Sequence, residues 1–302
     1  MVEMDKRVEV LLEAHKSGKL SRRDFIYRAG LIFGTVTIGG VILGNDLPPV
    51  HAQGNPTATL TGTAMPEGGE TIALTTQMIE VETATTPVPA YHAYPEGGTN
   101  LPGVVVIQEW WGLDDHIKSV AELMARNGFA AIAPDLYRGE VATEPNEARK
   151  LAMELVMDQA IGDVQGAADF LVAQDYVEPK KVGVMGFCMG GRIAMQMSWE
   201  GTDSIGAVAT FYGGGLNPTD DQFKAVKVPV LGLYGADDGG IPVSSVRNWE
   251  AKFKEFGKIN EMVIYEGAPH AFFNDTRPSF RPEAAKDALA RTLAWFKKYL
   301  TA

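Results

Sequence analysis

Apolar positions along the chain fall into two recurring patterns from about residue 79 onward. Short apolar-rich runs of strand length recur at Val104–Ile107, Phe129–Ala133, Lys181–Phe187, Ile205–Tyr212, Val228–Tyr234 and Glu261–Tyr265. Between them the apolar residues return at helical spacing. In Asp115–Asn127, for example, Ile117, Val120, Leu123 and Met124 share one side, and Gly128 supplies a stop. The same spacing predicts helices over Glu144–Ala160, Gly162–Gln174, Gly190–Trp199, Pro242–Phe256 and Pro282–Leu300. Ile79–Tyr94 alternates well enough for one or two leading strands, closed by Pro95-Glu96-Gly97-Gly98. A run apolar at every position is a strand buried on both faces. Repetition of strand, helix, strand therefore predicts an α/β fold with a mostly parallel central sheet and helices on both faces, connected by right-handed crossovers. Active groups in such sheets sit on loops beyond the carboxyl ends of the strands.

The first fifty residues follow neither pattern. Ser21-Arg22-Arg23-Asp24-Phe25-Ile26 places paired arginines before apolar positions, and Ala29–Gly44 is uncharged, Gly-rich and short for a bilayer span. Pro48-Pro49 breaks the run, and Val50-His51-Ala52 puts small or aliphatic residues where a signal peptidase cuts. The segment resembles a twin-arginine export signal. We therefore expect a signal over residues 1–52, a Thr/Gly/Pro-rich linker over 53–75 and one catalytic domain over 76–302. The expected location is periplasmic, extracellular or cell-surface associated, with membrane contact only through an uncleaved signal.

Composition narrows the function classes. The 302 residues carry 27 Lys and Arg against 38 Asp and Glu, a net charge of −11, which repels phosphate backbones and argues against a nucleic-acid partner. No uncharged apolar window reaches the length of a membrane span once the leader is set aside. A single Cys can form neither an intrachain disulfide nor a Cys-rich zinc site, and no His pair has ligand spacing. We expect no cofactor, no metal and a monomer that acts on a small molecule.

That lone Cys lies in Gly186-Phe187-Cys188-Met189-Gly190-Gly191, at the junction of a predicted strand and helix. A nucleophile elbow needs a sharp turn with a strained central residue. Glycines two positions before and after remove side chains that would clash there. A helix N-terminus favours the thiolate of Cys188, and the Met189 N–H can face a developing oxyanion. In such folds the acid and the histidine follow the nucleophile along the chain. Of the five His, only His270 follows a late strand, in Glu266-Gly267-Ala268-Pro269-His270-Ala271-Phe272. The preceding strand ends at Gly235-Ala236-Asp237-Asp238-Gly239-Gly240, so Asp238, with Asp237 as the alternative, is the acid that would orient the imidazole. Gln108-Glu109-Trp110-Trp111-Gly112 follows an early strand. There Trp110 would give the second oxyanion N–H, and Glu109 would be a partly desolvated carboxylate with a catalytic role.

These segments, with Pro134-Asp135-Leu136-Tyr137-Arg138-Gly139, together resemble the dienelactone hydrolase (carboxymethylenebutenolidase) family over roughly Ile79–Leu300. The resemblance implies an α/β-hydrolase fold, a Cys188–Asp238–His270 triad, and a Glu109 that contacts the resting thiol and helps deprotonate it when substrate binds. It places Tyr137 near the mouth of the site. It also implies two arginines for a substrate carboxylate. One of those positions is Asn274 here, with Arg277 three residues on, and the other falls around Arg149. The implied substrate is an activated ester or lactone. An exported esterase or peptidase of other specificity, and a non-catalytic binding protein on the same scaffold, are the alternatives.

Overall fold

The computed structural model describes residues 72–300. The predicted export signal and all but the end of the linker lie outside the described residues. The eight strands are β1 (Leu74–Val81), β2 (Val88–Pro95), β3 (Leu101–Ile107), β4 (Ala130–Pro134), β5 (Val177–Phe187), β6 (Ile205–Phe211), β7 (Val230–Gly235) and β8 (Asn260–Tyr265). They form one sheet in the order β1-β2-β4-β3-β5-β6-β7-β8. β1 and β2 are antiparallel to their neighbours, and β3 to β8 are parallel. The leading segment is thus two strands, and β1 starts within the stretch read as linker.

Seven helices complete the described chain: α1 (Asp115–Arg126), α2 (Pro145–Glu154), α3 (Met157–Ala173), α4 (Met189–Glu200), α5 (Asp220–Ala225), α6 (Val243–Glu255) and α7 (Pro282–Leu300). The β3–α1–β4 crossover runs toward β1, whereas β4–α3–β5, β5–α4–β6 and β7–α6–β8 run toward β8. Right-handed connections put the first on one face and the other three on the opposite face. α7 returns over β5, β6 and β7, where Phe296 fills the space left by Gly183. Among the described residues, none of these helices is long and apolar enough to cross a membrane.

Local chemistry explains several of the boundaries. Asp114 caps α1 by accepting from the Ile117 N–H at 3.0 Å, and the buried stripe Ile117, Val120, Ala121 and Met124 packs on the sheet. Each of Ile117, Val120 and Met124, fully buried, stabilises the fold by about 1.5–3 kcal/mol. The α2–α3 break falls at Leu155–Val156, not at Ile161 before Gly162. A glycine within a helix costs only about 1 kcal/mol. The buried face of Ala160, Val164, Ala167, Ala168 and Leu171 carries α3 straight through it. The short α5, absent from the sequence pattern, is held by a capping box between Thr219 and Gln222.

The core of the sheet is β3, β5 and β6, whose final residues are fully buried. Ile107 pairs with Gly186, and Phe187 with Phe211. This register brings the carboxyl ends of β3, β5 and β6 to one rim. β7 and β8 extend the rim, with Phe211 opposite Leu233 and Gly235 opposite Tyr265. Phe187, Phe211 and Phe273 pack together beneath it, with centroids 4.6 to 5.4 Å apart.

Candidate active site

Cys188 is the first residue beyond β5 and caps α4. Its backbone has φ 54° and ψ −111°, a conformation that costs a side-chain-bearing residue of order 1–3 kcal/mol. Two hydrogen bonds hold it there. The Cys188 N–H donates to Phe211 O, and the Arg192 N–H donates to Cys188 O, both at 3.0 Å. The flanking glycines are required by contact. A Cβ at Gly186 would overlap the Gly190 carbonyl, and one at Gly190 would fall on the carbonyls of Ile107 and Gln108. Gly190 therefore lets α4 approach the end of β3, which draws the Glu109-Trp110 loop close to the elbow.

The loops after β7 and β8 meet at the same rim. His270 Nδ1 lies 2.6 Å from Asp238 Oδ2, and Asp238 Oδ1 accepts the Gly240 N–H at 2.9 Å. Asp238 is 5% exposed, whereas Asp237 is exposed to solvent. The imidazole also lies close enough to the Cys188 sulfur for the two to interact electrostatically. Burial works against a charged imidazole. A charge on the Cys188 sulfur and the hydrogen bond that the ring donates to Asp238 outweigh that effect, so His270 titrates well above an ordinary histidine. Its side chain is still 41% exposed, so the ring is accessible from the rim. A sulfur, an imidazole and a carboxylate in this sequence of contacts can activate the sulfur as a nucleophile and carry protons.

The residue profile of the Dienelactone hydrolase family matches residues 88–300. This chain belongs to the dienelactone hydrolase family. It is 37% identical over 234 residues to the protein usf of Aquifex pyrophilus, spanning 74% of this chain and 99% of the relative. It is 35% identical over 226 residues to a candidate carboxymethylenebutenolidase of Methylorubrum extorquens, spanning 70% of this chain and 77% of that protein. The crystal structure of a candidate dienelactone hydrolase from Klebsiella pneumoniae superposes with a TM-score of 0.69 at 31% identity, over 75% of this chain and all of that one. That of P91, a dienelactone hydrolase-like promiscuous phosphotriesterase from metagenomic libraries, superposes with a TM-score of 0.67 at 25% identity, over 75% of this chain and 99% of its own. The protein is a hydrolase of the dienelactone hydrolase type with an α/β-hydrolase fold.

Not every residue singled out from the sequence of this family member reaches the rim in the same way. Glu109 is 2% exposed. Its Oε1 accepts from the Tyr212 hydroxyl at 3.2 Å, and its Oε2 accepts from the Asn274 amide at 2.9 Å. Asn274 is fully buried, and its Oδ1 accepts from both the backbone and the hydroxyl of Thr276. Its amide is committed within the protein and does not lie open as a carboxylate-binding group would. Tyr137 is also turned inward. Its hydroxyl lies 3.2 Å from the Trp110 carbonyl and 3.3 Å from Met189 Sδ, so it bridges the two residues proposed for the oxyanion. Arg277 is at the rim, its guanidinium 4.1 Å from the centre of the Trp111 ring. Arg149 lies on α2 beside Asn146.

Of the other His among the described residues, His92 bonds the Ala131 carbonyl and the Tyr176 hydroxyl inside the fold, and burial lowers its pKa. His116 is buried 3.3 Å from Asp275 and ties α1 to the His270 loop. Tyr212 is the residue that sequence reasoning missed. It reads as the last apolar position of a buried strand, yet its φ of 38° turns it out of β6 and over the rim. The signal available in the sequence was the three glycines that follow it, which mark a tight turn at the end of the strand.

Proposed function

We propose that this family member hydrolyses activated carboxylic esters or lactones through a thioester on Cys188. The observation that carries the reading is the 2.6 Å bond between Asp238 and a His270 that lies against the strained Cys188. In the proposed sequence Glu109 takes the thiol proton and leaves the Cys188 thiolate beside protonated His270. The thiolate attacks the substrate carbonyl, and the N–H groups of Trp110 and Met189 hold the oxyanion. His270 Nε2 gives its proton to the departing alkoxide, and the C–O bond breaks to leave an acyl thioester. The neutral imidazole then takes a proton from water as its oxygen attacks the thioester; collapse frees the carboxylic acid and the thiolate, which takes its proton back from Glu109. Asp238 holds the proton-bearing Nδ1 throughout. Arg277, stacked on Trp111, offers a cation at the mouth. Residues 1–52 would direct the folded monomer out by the twin-arginine route.

A thiolate is a good nucleophile but also a good leaving group. It suits substrates whose alcohol leaves readily, and amides should be poor. The test is a panel of purified-protein assays with an unsaturated lactone, p-nitrophenyl esters of rising acyl length, a p-nitroanilide and a phosphotriester. Turnover of the lactone or the esters well above the anilide is expected. Turnover of the phosphotriester with neither ester nor lactone would contradict the reading. A protein that turns over nothing and does not label with a thiol-reactive ester analogue would be a binding protein on this scaffold.

A further inference from the structure

Glu109 is a carboxylate removed from water and held at both oxygens by donors that carry no charge. The two donors come from different strands' loops, Tyr212 after β6 and Asn274 after β8. Each is itself fixed. Tyr212 N–H donates to Leu233 O at 2.8 Å, and its ring packs against Phe272 and His270 with centroids 5.5 and 5.1 Å apart. Asn274 is locked by Thr276, whose N–H and hydroxyl occupy Oδ1 and so force the NH₂ end toward Glu109.

We infer that Tyr212 and Asn274 are positioning residues that hold Glu109 ionised and aimed at the Cys188–His270 pair. The inference rests on the proposed roles of Cys188 and Glu109 and adds the device that makes Glu109 usable as a base. A desolvated carboxylate without partners takes up a proton near neutral pH, and two donated hydrogen bonds oppose that. Tyr212 remains a donor because burial, and then the charges of Glu109 and Cys188, push its own ionisation far above the usual range. Asn274 cannot ionise at all. The cradle therefore keeps both of its donors as the pH changes. The other ionisable groups on the elements that meet here include Cys188, Arg192, Tyr137, His270 with Asp238 and the neighbouring Asp237, the His116–Asp275 pair and Arg277 over Trp111.

The experiment is the pH profile of kcat/KM for a p-nitrophenyl ester, measured on the full chain. Tyr212→Phe keeps the ring and removes one donor, so the acid limb should move up by about one pH unit. Asn274→Asp keeps both acceptor contacts to Thr276 and sets a second carboxylate against Glu109, so its limb should move up further. In a Glu109→Gln background the Tyr212→Phe exchange should shift the limb by nothing more, because the group it acts through is gone. Circular dichroism checks that each variant is folded. A Tyr212→Phe profile that superimposes on the parent overturns the inference, as does a shift of equal size in the Glu109→Gln background. Loss of turnover in Cys188→Ala alongside an unshifted Tyr212→Phe profile sinks this inference alone. Full turnover in Cys188→Ala sinks the functional reading beneath it.

Discussion

Replacing Cys188 with alanine should lower kcat/KM for a p-nitrophenyl ester by about four to six orders of magnitude while the protein stays folded. The size of the loss follows from the role. Without the sulfur no acyl thioester forms, and what remains is the binding and polarisation of the ester by the loop N–H groups. Folding should survive because the substitution leaves the turn intact. The Cys188 N–H and C=O hydrogen bonds to Phe211 and Arg192 are backbone contacts, and alanine accepts φ 54° no worse than cysteine does. The aromatic cluster of Phe187, Phe211 and Phe273 beneath the turn is untouched. A thermal midpoint within a few degrees of the parent, together with lost turnover, is the expected pair of results. A variant that keeps even a tenth of the parent activity would require a different nucleophile.

The second large effect is at the acid. Asp238→Asn should lower kcat for a p-nitrophenyl ester by about 10³–10⁴-fold, with KM falling as well because the acyl-enzyme accumulates. In the parent, Asp238 Oδ2 faces His270 Nδ1 at 2.6 Å and requires the ring proton on Nδ1, which leaves Nε2 free to serve the sulfur. Asp238 Oδ1 is already occupied by the Gly240 N–H, so an asparagine keeps its oxygen there and turns its NH₂ toward the ring. The imidazole must then accept at Nδ1 and carry its proton on Nε2, the wrong nitrogen for taking a proton from water in deacylation. Loss of the carboxylate also removes part of what keeps His270 charged. Asp237→Asn is the matched control. Asp237 is exposed beside Asp238, so its rate should stay within about twofold of the parent. Steady-state kinetics on the two variants distinguish the neighbours, and an equal loss in both would contradict the assignment of Asp238.

The architecture was legible in the sequence wherever burial imposed a regular period. The parallel strands read directly, because Val104–Ile107 and the end of β5 are buried on both faces and tolerate no polar position. The elbow was legible for a different reason: glycines at 186 and 190 are demanded by backbone contact, so the spacing itself carries the geometry. What escaped the sequence depended on contacts between residues far apart in the chain. Nothing local to Asn274 indicates that its amide reaches Glu109, 165 residues earlier. Nothing local to Tyr137 indicates that its hydroxyl turns inward to the Trp110 carbonyl. Tyr212 was hidden by its own hydrophobicity, since a phenol at the end of an apolar strand has the same pattern as a core residue. The helix break after α2 was misplaced for a related reason. Gly162 reads as the start of a second helix, but the buried alanines around it carry α3 straight through.

The central claim is that the acyl group of the substrate passes through a covalent bond to Cys188. Rapid acid quench of the enzyme with a p-nitrophenyl ester, followed by intact-mass and peptide mass spectrometry, tests it most directly. The account predicts a mass increase equal to one acyl group, located on the peptide that contains Cys188, appearing at the rate of the p-nitrophenol burst and lengthened in lifetime by Asp238→Asn. An acyl group found on any other residue, or ester turnover with no adduct at any quench time in the slowed Asp238→Asn variant, would contradict it.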